Sequence, residues 1–210
     1  MSVLFDPASQ PHGRLNGGAA ARNGGAQLAS PHCLYFSKLL SAQREGRGVL
    51  PHFLGLQPLE FIWLTQSFVP DALLDCDESS DSQQLDSVRE KGELRQQLLE
   101  LRRDEWNELR ELLMQHRAGF HPLEAAMASA VAAGCLGGDH LWRDLGLPTR
   151  GDLRELLTLY FPTLAVKNSK DMKWKKFFYK QLCEQEGGYV CRAPTCEECA
   201  AYDDCFGEEL

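Results

Sequence analysis

The sequence predicts an all-α fold: a single helical domain with a C-terminal cysteine-rich metal-binding loop and a disordered N-terminal tail. Three observations predict it. From residue 31 onward, apolar side chains recur at three- and four-residue steps. No segment reads convincingly as a strand. Proline and glycine fall between the periodic stretches, where helices should stop.

The 210 residues suffice for one domain with a real core, and a hydrophobic fraction of 43% is ordinary for a globular protein. Residues 1–28 are rich in Gly, Ala and Asn and poor in large apolar groups, so they cannot offset the entropy of ordering. They are expected to form a tail, leaving residues 29–210 as the helical domain. A net charge of −8 argues against a general nucleic-acid binder. No run of eighteen apolar residues could span a bilayer. The start, MSVLFDPASQPHGRLNGG, lacks the basic and apolar regions of a signal peptide. The expected location is the reducing cytoplasm, where eight cysteines are poor candidates for disulfides.

A first amphipathic helix is predicted from Pro31 through Cys33, Leu34, Phe36, Leu39 and Leu40, ending near Gly46. Residues 58–69, with Leu59, Phe61, Ile62, Trp63, Leu64 and Phe68, read as a second, buried helix stopped by Pro70. The acidic run 75–82 (DCDESSDS) reads as a linker or exposed loop. Leu85, Val88, Leu94, Leu98, Leu101, Leu109, Leu112 and Leu113 then predict one long helix, closed by Gly119 and Pro122. The Ala-rich run 123–133 offers a small face for close packing, and Gly137-Gly138 breaks the chain after it. Residues 139–145 predict a short helix with Leu141, Trp142 and Leu145 inward. Thr149 and Asp152 form a capping box for the helix 153–160, which Pro162 interrupts. Asn168 or Ser169 is expected to cap the last helix, through Met172, Trp174, Phe177, Phe178, Leu182 and Cys183.

The cysteines are unevenly spread. Cys33, Cys76 and Cys135 are scattered, whereas Cys183, Cys191, Cys196, Cys199 and Cys205 fall within 23 residues. Clustered cytosolic cysteines point to metal or redox chemistry. Over 191–205 the spacing is C-x4-C-x2-C-x5-C, so four thiolates can converge on one centre without long-range folding. Thiolates select zinc, copper(I) or iron–sulfur clusters over magnesium or calcium. Structural zinc sites usually pair two C-x2–4-C knuckles across a longer spacer. Here only one C-x2-C step occurs, closely flanked, which favours an iron–sulfur cluster, with zinc as the alternative. Lys167, Lys170, Lys173, Lys175, Lys176 and Lys180 precede the cysteines in an otherwise acidic chain. Such a patch could stabilise an anionic cluster, or hold an oxyanion such as molybdate, with Lys175 and Lys176 nearest the aromatic stripe. Equally, it is the solvated face of an amphipathic helix.

The segments HLWRDLGL at 140–147, LTLYFPTLAVKNSKDMKWKKFFYKQLCEQEG at 157–187 and the cluster ending DCFGEE at 204–209 resemble the NifQ family of nitrogen-fixation proteins. The similarity runs from about His121 onward, is weaker over 31–119, and is absent from the tail. The resemblance implies a carrier rather than an enzyme. It would hold a four-iron or molybdenum–iron–sulfur cluster on Cys191, Cys196, Cys199 and Cys205. With molybdate as the metal source, it would supply molybdenum for the iron–molybdenum cofactor. Its partners would be the cofactor scaffold NifEN and the nitrogenase iron protein NifH, with no nucleic acid and no membrane.

Other residues have plainer readings beside functional ones. Cys183, eight residues before Cys191, could be an extra ligand, although a cysteine on the inner face of an aromatic helix is usually a small core residue. His116, His121 and His140 could supply a nitrogen ligand but more often make hydrogen bonds near helix ends. Trp63, Trp106, Trp142 and Trp174 read as core anchors. Two other classes compete with the carrier. One is an all-α DNA-repair glycosylase-like protein with a structural four-iron cluster, disfavoured by the acidity and the missing Gly-rich hairpin. The other is a zinc-stabilised interaction module.

Overall fold

A computed structural model describes residues 30–70, 82–185, 187 and 202–207. The expected tail at 1–28, most of the acidic linker, and Cys76, Cys191, Cys196 and Cys199 lie outside the described residues. Among those described, all regular structure is helical, as expected. No described helix is long and apolar enough to cross a membrane.

The first helix, α1 (Pro31–Arg44), starts where the side chain of Ser30 accepts the Cys33 N–H and Pro31 presets the first turn. It stops before Gly46, whose φ of 71° takes the chain out of the helix. The next helix, α2 (Pro58–Phe68), departs from expectation. Leu64 and Thr65 are buried and Phe61 and Phe68 half-buried on one face, whereas Leu59 and Trp63 are 82% and 58% exposed on the other. A helix this rich in large apolar residues reads as buried, yet only the 61/64/65/68 face finds the core, and Glu60, Gln66 and Ser67 lie on the exposed side. Trp63 is therefore not a core anchor.

The single long helix expected over 85–113 is two helices, α3 (Ser82–Leu101) and α4 (Arg103–Gln115). The break is at Arg102, with φ −115° and ψ 34°. Its guanidinium grips Glu105 at 2.7 Å and donates to the Leu136 carbonyl at 2.8 Å, which holds the chain in the turned conformation. The leucine spacing continues on both sides of the break, so periodicity could not reveal it.

The core centres on α5 (Glu124–Cys135), where every residue from Ala126 to Cys135 is buried. Small side chains let α4 lie close against it. Trp106 of α4 donates its indole N–H to the Ser129 carbonyl at 3.1 Å, and Leu109, Leu112 and Leu113 are at most 1% exposed. The buried carboxylate of Glu124 accepts the backbone N–H groups of Gly119, Phe120 and His121, closing the loop before α5.

After α5 come α6 (Leu141–Asp144), α7 (Arg150–Tyr160), α8 (Pro162–Lys167), α9 (Trp174–Gln185) and α10 (Tyr202–Phe206). Leu141 and Leu145 point inward as expected, while Trp142 is half-buried. Thr149 caps α7, accepting the Asp152 N–H at 3.1 Å. That helix buries Leu153, Leu156, Leu157 and Tyr160, and α1 is pinned to it by Tyr35 to Glu155 and Tyr160 to the His32 carbonyl. Asn168 does not cap α9, nor does Ser169. Lys173 precedes that helix, and the side chain of Asn168 instead bridges the N–H and carbonyl of Met172 at 2.9 and 2.8 Å. With Asp171 at φ 55° and Arg150 donating to its carbonyl, this sets the loop that delivers Lys173 to the start of α9.

Candidate metal centre

The start of α9 is anchored by aromatic packing. Trp174, Phe177 and Phe178 are buried, and Trp174 meets Phe177 edge-on at 5.8 Å. The lysines fall around this stripe, with different fates. The ammonium of Lys175 bonds to the carboxylate of Asp144 and donates to the Gly137 carbonyl at 2.9 Å. The two side chains are only 17% and 3% exposed, so this is a buried ion pair. Lys175 is thus committed to structure, unlike a solvated or freely available cation. Lys176 is exposed and makes no ion pair among the described residues. Asp144 was invisible as a site residue because a lone Asp in WRDLG reads as surface. The faint signal was Gly137, where a Cβ would lie 2.5 Å from that carboxylate.

Lys173 does a different task. Its backbone N–H donates to the Cys205 carbonyl at 2.7 Å, and its ammonium donates to the Asp203 carbonyl at 3.0 Å. These bonds dock α10 on the start of α9, and half-buried Cys205 and Phe206 pack against the core beside it. One of the four motif thiols is therefore fixed in place next to the lysines. Cys183, also half-buried, sits ten residues beyond Lys173 along α9, about 15 Å at the helical rise. The structure does not bring Cys183 to Cys205. Among the described residues no three His, Cys, Asp or Glu side chains converge as a metal-holding group. The donor set left for a cluster is Cys205 with three thiols outside the described residues, and four thiolates suit iron–sulfur or zinc chemistry.

A cavity of about 260 Å³ opens beside α10. Its walls are the turn 138–141, including His140, the α9 start at 173–176, and Asp204.

The remaining sequence candidates sort plainly. Cys135 is fully buried, and burial pushes its thiol up to about 12, leaving it inert packing. Cys33 takes a weak bond from Ser30. His116 bonds Thr163 at 2.8 Å and Lys167 at 3.3 Å. His121 stacks on His32 at 4.4 Å with the rings parallel to 1°. None of Cys33, Cys135, His116 and His121 makes a hydrogen bond, ion pair or ring contact with α10 among the described residues.

Among the described residues, fold and site define an all-helical protein in which α10, carrying Cys205, docks at a lysine-bearing helix start. The NifQ family model matches residues 35–207. Protein NifQ of Azotobacter vinelandii is 50% identical over 199 residues, spanning 92% of this chain and 100% of that relative. A NifQ homolog of Sinorhizobium fredii (strain NBRC 101917 / NGR234) is 46% identical over 99 residues, 47% of this chain and 43% of the relative. Protein NifQ of Klebsiella pneumoniae is 46% identical over 91 residues, 42% and 54% of the two chains. No solved structure matches. The chain belongs to the NifQ family of nitrogen-fixation proteins.

Proposed function

We propose that this protein is a non-catalytic carrier of an iron–sulfur cluster that takes up molybdenum and passes it on for synthesis of the nitrogenase iron–molybdenum cofactor. Cys191, Cys196, Cys199 and Cys205 hold the cargo, molybdate is the metal source, and NifEN with NifH receives the metal. The observation that carries the reading is the docking of α10. It sets Cys205 beside Lys173 and the α9 start, where cations compensate an anionic thiolate-bound cluster. Thiolate and sulfide are soft donors, which suits conversion of a hard oxyanion into a form for cluster assembly. Tyr202, Asp203 and Asp204 of α10 are exposed beside Cys205, which supports a site open to a partner, as cargo transfer needs.

The test is a transfer. The chain is loaded anaerobically with iron, sulfide and molybdate, mixed with NifEN and NifH, and separated again. Molybdenum moving to the NifEN fraction, beyond what free molybdate delivers, is the expected result. Molybdenum that stays on the chain, or transfers equally well from free molybdate, contradicts the donor role.

A further inference from the structure

We infer that the cavity between the turn 138–141 and the start of α9 is a binding site for a tetrahedral oxyanion dianion, separate from the cysteine thiolates. The inference deepens the carrier reading by giving the incoming metal oxyanion a place on described residues, and it stands on four observations.

The first is the helix start. Phe177 makes the first recorded bond of α9, to the Lys173 carbonyl, so the N–H groups of Trp174, Lys175 and Lys176 have no intrahelical acceptor. The second is charge. A helix N-terminus favours acidic neighbours, yet the first turn of α9 holds none and carries Lys175 and Lys176, with Lys173 before it. Asp144 answers Lys175 internally, which leaves Lys173 and Lys176 at the positive end of the helix without an acidic residue in its first turn. An anion bound there would offset both the ammonium groups and the macrodipole.

The third observation is the balance of the cavity walls. Lys175 is neutralised by Asp144, and the wall carboxylate of Asp139 lies 3.7 Å from Arg143. Lys173 and Lys176 remain against Asp204, the one wall carboxylate without a cation partner among the described residues. The surplus is positive. His140 adds an imidazole to the wall. The fourth is Trp174, a wall residue only 4% exposed, whose indole N–H has no hydrogen-bond partner among the described residues. A buried donor without an acceptor is costly, so an acceptor gained at this wall would be favourable. At about 260 Å³ the cavity has room for a four-oxygen anion that keeps part of its water.

Equilibrium dialysis of the full chain against labelled molybdate, at about 0.15 M salt, tests the assignment. Three variants frame it: Lys176→Ala, Lys180→Ala, and a fourfold Cys→Ser variant of the motif. Lys180 lies on the same helix but pairs with Glu184 away from the cavity. Lys176→Ala is expected to weaken binding about tenfold, since it removes one charge-assisted contact. Lys176→Arg should restore most of it, Lys180→Ala should change nothing, and tungstate and sulfate should compete where chloride does not. The Cys→Ser variant should still bind. Loss of binding in that variant would place the anion on the thiolates and overturn the site. Equal weakening by Lys180→Ala, or no effect of Lys176→Ala, would overturn it too. Iron and sulfide assayed on the same parent sample report separately on the carrier reading.

Discussion

Asp144 and Lys175 form the ion pair on which the start of α9 depends. Asp144 also accepts the Asp139 N–H at 3.1 Å, so it ties the turn after α5 to α9 through one buried carboxylate. Asp144→Ala is expected to cost about 3 kcal/mol in chemical denaturation, because it strands a half-buried ammonium. Adding Lys175→Met should recover part of that loss. Recovery of nothing would mean the pair is incidental. A second residue-scale effect concerns His32 and His121. Burial holds both imidazoles below their ordinary value, and for His32 the neighbouring His121 adds to this, while Glu124 opposes it for both. Between that lowered value and about 6.5 the unfolded chain binds more protons than the native one, so stability falls as pH falls through this window. Melting temperature should drop between about pH 7.5 and about pH 5.5, and His32→Phe, which keeps the stack, should drop less. An equal drop in both proteins would contradict it. Nothing in the sequence pairs these rings, because they are brought together only by α1 meeting the loop before α5.

At the scale of elements, local chemistry decided most of what could be read in advance. Thr149 and Asp152 announced α7, and the same hydroxyl caps it in the structure. Thr149→Ala should destabilise the protein by about 1 kcal/mol, with Thr149→Ser close to the parent, as read from denaturant midpoints. Unchanged midpoints for the alanine variant would show that packing of Leu153, Leu156 and Leu157 alone sets the helix. What stayed hidden was decided by tertiary partners. The α3–α4 break needs the Leu136 carbonyl, thirty-four residues away from Arg102. The outward turn of Leu59 and Trp63 reflects which face of α2 meets the core; Glu60, Gln66 and Ser67 share the exposed side, a polar signal outweighed in the sequence by the many large apolar residues around it. Asn168 was legible as a cap-forming residue, but its loop partner Met172 won it from α9.

At the scale of the whole molecule, the carrier reading separates a helical core from the cysteine motif that would hold the cargo. Among the described residues the helices bury a continuous apolar core with Cys205 at its margin, so the core should stand when a cluster is lost. The cysteine clustering and the lysine run were legible in the sequence, and the metal centre they suggest is the part of the proposal still to be measured. The docking of α10 and the removal of Lys175 into an internal pair were not legible, since both arise from contacts across the fold. The most direct measurement compares the anaerobically purified parent with Cys199→Ala by iron, sulfide, molybdenum and zinc analysis together with circular dichroism. The parent should hold iron and sulfide, and the variant should lose them while its helical signal persists. Stoichiometric zinc without sulfide in the parent, or global unfolding of the variant, would contradict a protein built to carry a cluster on an independently folded helical core.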